Sequence, residues 1–123
     1  MDALLKKFLP RIEFDSYEDF KANYTVNVPE NFNFGFDVVD AWAEAEPEKK
    51  ALVWCDEEDN EKIFTFTDIK QLSNKAANFF KSLGVKKGSV VMLILRRRWE
   101  YWVCATALHK IGAILIPGTL QLT

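Results

Sequence analysis

The sequence predicts an α/β fold with a β-hairpin, a βαβ unit and an incomplete parallel sheet. Two β-prone segments, residues 51–55 and 62–66, are joined by a short charged turn, which is the pattern of a hairpin. Residues 90–95 are almost wholly aliphatic, as in a strand that is covered on both faces of a parallel sheet. A helical segment then leads to a second apolar segment, residues 113–117, so these two strands are expected to be parallel neighbours. Two such strands leave at least one sheet edge unpaired.

The first third of the chain is predicted to contain short helices and an extended connection. Residues 2–9 have an amphipathic pattern that a proline ends. Ser16 is placed to cap a second short helix, with Asp19 at its third position. Residues 26–34 contain proline and asparagine, which favours an extended surface segment. Residues 35–45 then repeat apolar side chains at helical spacing, which predicts a third helix.

Two longer helices flank the aliphatic strand. The clearest one is expected to be capped by Thr67 or Asp68 and to end at Gly84, where a left-handed residue is favoured. Its apolar face consists of Ile69, Leu72, Ala76, Phe79, Phe80 and Leu83. The other helix begins near Trp99 and is closed by Gly112.

Composition and charge exclude several classes of function. The formal net charge is −2 with both signs interspersed, so no basic stripe predicts a nucleic-acid partner. No apolar run approaches the ~20 residues that a membrane-spanning helix needs. Cys55 and Cys104 lie in apolar runs, so they are predicted to be buried free thiols in a reducing compartment. A cytoplasmic location is therefore expected. The ten Phe and four Trp predict a core that needs extensive packing partners.

The motifs of known catalytic sites are missing from the sequence. It contains no Gly-rich phosphate loop, no nucleophile accompanied by a histidine and an acid, and no residues at metal-ligand spacing. No catalytic residue and no metal ligand is therefore predicted. The acidic run Glu57, Glu58, Asp59 and Glu61 matches a hairpin tip in solvent better than a calcium loop. His109 and Lys110 are explained by the preference of helix C-termini for cations.

A basic run, Arg96, Arg97 and Arg98, lies between a predicted strand end and a helix start. Ligands of open α/β sheets bind outside the carboxyl ends of strands, so these arginines stand at the correct rim for a phosphate-bearing ligand. The alternative is a run of solvated charges at the boundary of two elements. The sequence leaves both interpretations open.

Several phrases, taken in order, resemble the N-terminal region of a known enzyme family. They are Phe64-Thr65-Phe66-Thr67, residues 76–88 (AANFFKSLGVKKG), residues 107–114 (ALHKIGAI) and residues 117–123 (PGTLQLT). Their order and spacing resemble the AMP-forming acyl-CoA synthetases of the adenylate-forming superfamily, in the medium-chain or acetyl-type branch. The resemblance implies a helical and extended lead-in over residues 1–34. It also implies the first α/β part of an AMP-binding domain, left incomplete, over residues 35–123.

The resemblance implies an acid–thiol ligase that makes an acyl-adenylate from a carboxylic acid and Mg-ATP and passes the acyl group to coenzyme A. The family's phosphate loop, acyl pocket and catalytic lysine have no counterpart in this sequence. The segment is therefore expected to act as a scaffold, with the remainder of its parent chain as its partner. On its own it is expected to bind ATP, Mg and CoA poorly. Gln121 matches a residue of the coenzyme A channel, and Gly118 would let the backbone approach that ligand.

Two other interpretations remain open. A free-standing, non-catalytic interaction module would dock on a full-length ligase or associate with itself through exposed apolar surface. A small flavodoxin-like nucleotide-binding domain would need a phosphate loop at a strand-to-helix turn, and the sequence has none.

Overall fold

In a computed structural model, which describes residues 2–121, the chain divides between Phe32 and Asn33 into two compact units. The first unit contains two short helices, α1 (Asp2–Phe8) and α2 (Tyr17–Asn23). The Ser16 hydroxyl accepts a hydrogen bond from the Asp19 amide at 3.1 Å, which confirms the predicted cap of α2.

The second unit contains the α/β part. Its elements are a π-helical segment (Gly35–Asp40), α3 (Ala41–Ala45), β1 (Lys50–Cys55), β2 (Glu61–Thr65), α4 (Phe66–Ser82), β3 (Val90–Leu93), α5 (Glu100–Ile111) and β4 (Ile114–Pro117). The strands form an antiparallel pair, β1 with β2, and a parallel pair, β3 with β4. The predicted α/β class, hairpin and βαβ unit are confirmed. No helix within residues 2–121 is long and apolar enough to cross a membrane.

The hairpin is closed by hydrogen bonds to one carboxylate at its tip. Asp56 Oδ1 accepts from the amides of Glu58 and Asn60 at 3.0 and 2.9 Å, so the acidic tip forms a self-contained turn. β2 ends at Thr65 and not at residue 66 as predicted, because Thr65 becomes the cap of α4.

The N-terminus of α4 is fixed by a capping box at Thr65, two or three residues earlier than predicted. The Asp68 amide donates to the Thr65 hydroxyl oxygen at 3.1 Å, and the Thr65 amide donates to Asp68 Oδ2 at 2.8 Å. The predicted cap at Thr67 or Asp68 is therefore wrong: Asp68 is the third helical residue, and the Thr67 hydroxyl donates to the Pro47 carbonyl. At the other end Gly84 has a φ of 87°, as predicted for a left-handed residue after a helix.

The capping box gives a pH-dependent contribution to stability. The backbone amide of Thr65, and then its hydroxyl, donate to the Asp68 carboxylate and hold the pKa of that group below its usual range. This stabilisation is complete above the unfolded-state pKa and is lost as pH falls through the lower pKa of the folded state. Thr65→Ala is expected to cost about 1 kcal/mol near neutral pH.

Urea unfolding of the parent and of Thr65→Ala at about pH 7 and about pH 3 tests this expectation, because the lower pH lies below the ordinary aspartate pKa of about 3.9 and approaches the lowered pKa of Asp68 in the folded state. The cost should shrink at low pH. The exposed Thr25 provides the control, since Thr25→Ala should cost little at either pH. A cost of Thr65→Ala that does not change with pH would show that the carboxylate adds nothing.

The parallel pair packs one face against α5 and leaves the other face bare. Leu93, Leu108 and Ala113 form the centre of this core, and Gly112 closes α5 with a φ of 76°. β3 ends at Leu93, two residues before the predicted end. The side chains that alternate with the core positions are exposed, namely Val90, Met92, Ile94, Ile114 and Ile116. An aliphatic strand pattern therefore corresponds here to a sheet that is covered on one side only.

Candidate functional site

A cavity of about 470 Å³ opens at the carboxyl ends of β3 and β4. The loop that follows β3 supplies one wall, the end of β4 supplies a second, and β1 with the start of α5 supplies the rest. The lining residues are Leu52, Val53, Trp54, Cys55, Leu95, Arg96, Arg97, Arg98, Tyr101, Trp102, Pro117, Gly118 and Thr119. Open α/β sheets bind their ligands at this edge, so the cavity is the candidate site of the molecule.

The arginine loop is held in place by its own backbone and by the hairpin. The indole Nε1 of Trp54 donates to the Arg97 carbonyl at 2.6 Å, which ties β1 to the loop. The Arg98 amide donates to the Arg96 carbonyl at 2.6 Å and tightens the turn before α5. These contacts position the basic run without using the guanidinium groups of Arg96 and Arg97.

The three arginines differ in their charge environment. The Arg98 guanidinium donates to both carboxylate oxygens of Glu100, at 3.1 and 3.3 Å. This pairing raises the pKa of Arg98 and lowers the pKa of Glu100. Within residues 2–121, Arg96 and Arg97 are exposed and form no ion pair. The cavity therefore carries positive charge that the described part of the chain does not neutralise.

The two residues predicted for the coenzyme A channel lie differently with respect to this cavity. Gly118 lines it, and its amide donates to the Leu93 carbonyl at 2.9 Å, extending the parallel ladder by one bond. Gln121 is exposed, and its amide donates to the Thr119 hydroxyl at 3.3 Å. Gln121 does not line the cavity. The structure thus brings Gly118 to the arginines and leaves Gln121 exposed, outside the cavity lining.

A buried ion pair is the feature that the sequence analysis missed. The preference of a helix C-terminus for cations does not account for Lys110, because its side chain is only 2% exposed. Its Nζ donates to Asp40 Oδ1 at 2.7 Å and to Asn74 Oδ1 at 2.8 Å. A Cβ on Gly35 would lie 2.5 Å from Lys110 Cγ, so the glycine makes room for the lysine stem. Lys110 thereby joins α5 to α4 and to the π-helical segment.

The remaining titratable candidates do not form a second site. The Nδ1 atom of His109 is buried and has no hydrogen-bond partner among the described residues. Its ring packs edge-on against Phe34, with the centroids 5.8 Å apart. Both cysteines are free, and burial raises the pKa of the Cys104 thiol. Residues 2–121 contain no group of three metal-ligating side chains.

Solved structures with this fold are adenylate-forming enzymes. A fatty acyl CoA synthetase from Mycobacterium tuberculosis is 25% identical, with a TM-score of 0.66 over 74% of this chain and 17% of its own. A fatty acid AMP ligase from Legionella pneumophila is 21% identical, with a TM-score of 0.67 over 72% of this chain and 15% of its own. The first likeness agrees with the sequence resemblance, and the second shows the fold alone. The fold thus defines part of an adenylate-forming domain.

Curated relatives point to one branch of these enzymes. Acyl-coenzyme A synthetase ACSM3, mitochondrial, of Homo sapiens is 36% identical over 116 residues, which are 89% of this chain and 20% of the relative. Acyl-coenzyme A synthetase ACSM4, mitochondrial, of Homo sapiens is 38% identical over 113 residues, which are 85% of this chain and 20% of the relative. The chain spans about a fifth of the length of these relatives.

Residues 39–123 match the family described as AMP-binding enzyme. The chain belongs to the AMP-binding enzyme family. The resemblance to AMP-forming acyl-CoA synthetases of the medium-chain type is therefore confirmed.

The predicted cytoplasmic location is wrong in the light of these relatives. Both human relatives are named as mitochondrial proteins. The prediction rested on free cysteines and on the lack of a long apolar segment. Free cysteines indicate a reducing compartment, but neither they nor the lack of a long apolar segment distinguishes one reducing compartment from another.

Proposed function

We propose that this chain forms the opening part of an acid–thiol ligase, an enzyme that activates a carboxylic acid with ATP and transfers the acyl group to coenzyme A. The observation that carries the proposal is the match of residues 39–123 to the AMP-binding enzyme family, together with relatives named acyl-coenzyme A synthetases. ATP, magnesium and coenzyme A are the cofactors of the complete reaction. The division into a lead-in over residues 1–34 and an AMP-binding part over residues 35–123 belongs to this proposal.

The role of the segment within that enzyme is structural. The sequence has no counterpart of the phosphate loop and the catalytic lysine that the resemblance implies, so the 123-residue chain alone is proposed to be inactive. The bare face of β3 and β4 supports this role, because apolar side chains on it have no cover within residues 2–121. The remainder of the parent chain is the proposed partner of that face.

A coenzyme A channel beside Gly118 and Gln121 is also part of the proposal. Gly118 lines the basic cavity, and Gln121 is exposed three residues further along the chain. The glutamine amide can donate and accept hydrogen bonds, which suits the amide groups of that ligand.

The same bare face favours one alternative function. Val90, Met92 and Ile116 present exposed apolar side chains on two paired strands, which is the kind of surface through which an interaction module would dock or self-associate. A stable dimer of the purified chain would support this alternative.

The test is to read the transcript beyond the codon for Thr123 and to assay the purified chain. The ligase proposal expects the reading frame to continue into a Ser/Thr/Gly-rich loop that ends in Pro-Lys. It also expects no ATP–pyrophosphate exchange by the 123-residue chain with medium-chain fatty acids, with human ACSM3 as the positive control. A stop codon directly after Thr123 would favour the interaction module. Exchange above the protein-free blank would contradict the proposed inactivity.

A further inference from the structure

One long segment of the chain carries positive charge only. Both signs alternate along most of the sequence, but residues 69–99 contain eight lysine or arginine residues and no aspartate or glutamate. This segment has a formal charge of +8 and the whole chain has −2, so the remaining residues carry −10. The segment begins within α4, continues through the turn before β3 and ends at the arginine loop. A concentration of one sign of charge attracts partners of the opposite sign.

The exposed side of α4 places lysine beside large apolar side chains. Lys75, Phe79 and Leu83 follow one another at four-residue intervals, so they form one stripe along the helix. The apolar pattern of α4 predicts Phe79 and Leu83 for its packed face, but the helix buries a different stripe, which includes Ser73 and Ala77. Phe79 is 60% exposed and Leu83 is 64% exposed. The stripe therefore presents apolar and basic groups to solvent together.

The turn after α4 adds two more lysines to this stripe. Lys86 and Lys87 are exposed, and neither side chain forms an ion pair within residues 2–121. The Lys86 amide donates to the Ser89 hydroxyl oxygen at 3.1 Å, and the Gly88 amide donates to the Gly112 carbonyl at 2.9 Å, so the turn is fixed against the end of α5. The turn precedes β3, whereas the basic cavity lies beyond the carboxyl end of that strand.

The mixture of lysines and apolar side chains selects the kind of partner. An acidic protein surface is matched by the lysines alone. An anionic lipid bilayer also takes up the apolar side chains, because phenylalanine and leucine enter the boundary between headgroups and acyl chains while lysines stay at the headgroups. Docking of this kind needs no helix that crosses the membrane.

We propose that Lys75, Phe79, Leu83, Lys86 and Lys87 form a docking surface, the α4 surface, that binds the chain to an anionic lipid bilayer. The two apolar side chains enter the bilayer boundary, and the three lysines contact the charged headgroups. The proposal goes beyond the ligase function and does not depend on it.

Co-sedimentation of the 123-residue chain with lipid vesicles tests the proposal. Vesicles of phosphatidylglycerol and phosphatidylcholine in equal amounts should bind the chain. Vesicles of phosphatidylcholine alone should bind it at least about tenfold more weakly, because they do not attract the lysines. Raised salt should weaken binding to the anionic vesicles without abolishing it, since salt screens the charges and not the apolar contacts.

NMR of the ¹⁵N-labelled chain with a spin-labelled lipid in the anionic vesicles locates the contact. The amide signals of residues 79–87 should broaden more than those of residues 96–98, which are also basic, and those of residues 114–117, which belong to the bare sheet face. Broadening centred on either of the other two segments would contradict the assignment to the α4 surface.

Paired lysine variants separate the α4 surface from general charge attraction. Lys86→Gln with Lys87→Gln should lower the partition coefficient for anionic vesicles at least about tenfold, since each basic residue near such a surface contributes about fivefold. Lys6→Gln with Lys7→Gln removes the same charge from exposed positions of α1. This control should lower the partition coefficient less than about twofold.

A second pair of variants tests the apolar contacts. Phe79→Gln with Leu83→Gln should also lower the partition coefficient at least about tenfold, because two large apolar side chains no longer enter the bilayer boundary. Val26→Gln with Val28→Gln is the matched control, since these side chains are 49% and 66% exposed, and it should have less than about a twofold effect. All four positions are exposed, so circular dichroism should show the same fold in every variant.

Three binding results would overturn the proposal. They are equal binding to the two kinds of vesicle, equal losses from the two lysine pairs, and unchanged binding after Phe79→Gln with Leu83→Gln. The last result would leave charge attraction alone and would favour an acidic protein as the partner of the lysines. These readouts use neither ATP nor coenzyme A, so the α4 surface can fail while the ligase proposal stands, and the reverse also holds.

Discussion

Replacing Lys110 by methionine is expected to destabilise the second unit by about 3–5 kcal/mol, because one partner of a buried ion pair is left without the other. The Lys110 and Asp40 side chains are 2% and 11% exposed, and their charged atoms lie 2.7 Å apart. Methionine keeps most of the apolar stem, so the packing beside Gly35 changes little. The uncompensated charge of Asp40 and the lost bond to Asn74 are the main costs.

Chemical unfolding followed by circular dichroism measures this loss. A matched control is Lys70→Met, which breaks the 3.0 Å pair with Glu44 where the two side chains are 31% and 73% exposed. That control should cost no more than about 1 kcal/mol. Adding Asp40→Leu to Lys110→Met should recover part of the stability, since the unpaired charge is then removed. Equal costs for Lys110→Met and Lys70→Met would contradict the role of burial.

Local signals explain which parts of the fold were predictable. The Ser16 cap, Gly84 and Gly112 each act within a few residues of the helix end that they determine, so the sequence alone identifies them. The sequence alone does not identify the cap of α4, because Thr65, Thr67 and Asp68 are all good cap residues close together. The contacts that choose among them are the capping box and the bond from Thr67 to the Pro47 carbonyl.

The Lys110–Asp40 pair shows where sequence reasoning ends. The two residues lie 70 positions apart, and each stands in a helical segment where a charge is usually solvated. The sequence predicts neither the close approach that Gly35 permits nor the π-helical turn over Gly35–Asp40. Burial of this lysine is a result of tertiary packing, and the periodicity of apolar residues in the sequence does not predict it.

The candidate site was predictable in position and not in composition. The rule for carboxyl ends of strands places Arg96–98 and Gly118 at one rim, and the structure brings them to one cavity. The aromatic wall comes from β1 and α5, and the bond from Trp54 to the Arg97 carbonyl spans 43 positions. Such a contact depends on how the hairpin packs, which the strand pattern leaves open.

Leu108→Ala is expected to cost about 2–5 kcal/mol, because a leucine with no exposed surface is replaced by a cavity. Leu108 packs with Leu93 and Ala113, and its carbonyl accepts a hydrogen bond from the Ala113 amide at 3.0 Å. The side chain thus holds α5 against the two strands whose ends form the basic cavity. A loss of this size approaches the whole stability of many domains, which is about 5–15 kcal/mol.

The matched control is Leu83→Ala, at the end of α4, where the side chain is 64% exposed and the same atoms are removed with little loss of burial. It should cost well under half as much as Leu108→Ala in urea unfolding. NMR of Leu108→Ala should show shifted amides at residues 96–98 if α5 supports the arginine loop. Equal costs for the two leucines would mean that the α5 core is open to water in solution, and the cavity beside it would then lack a fixed wall.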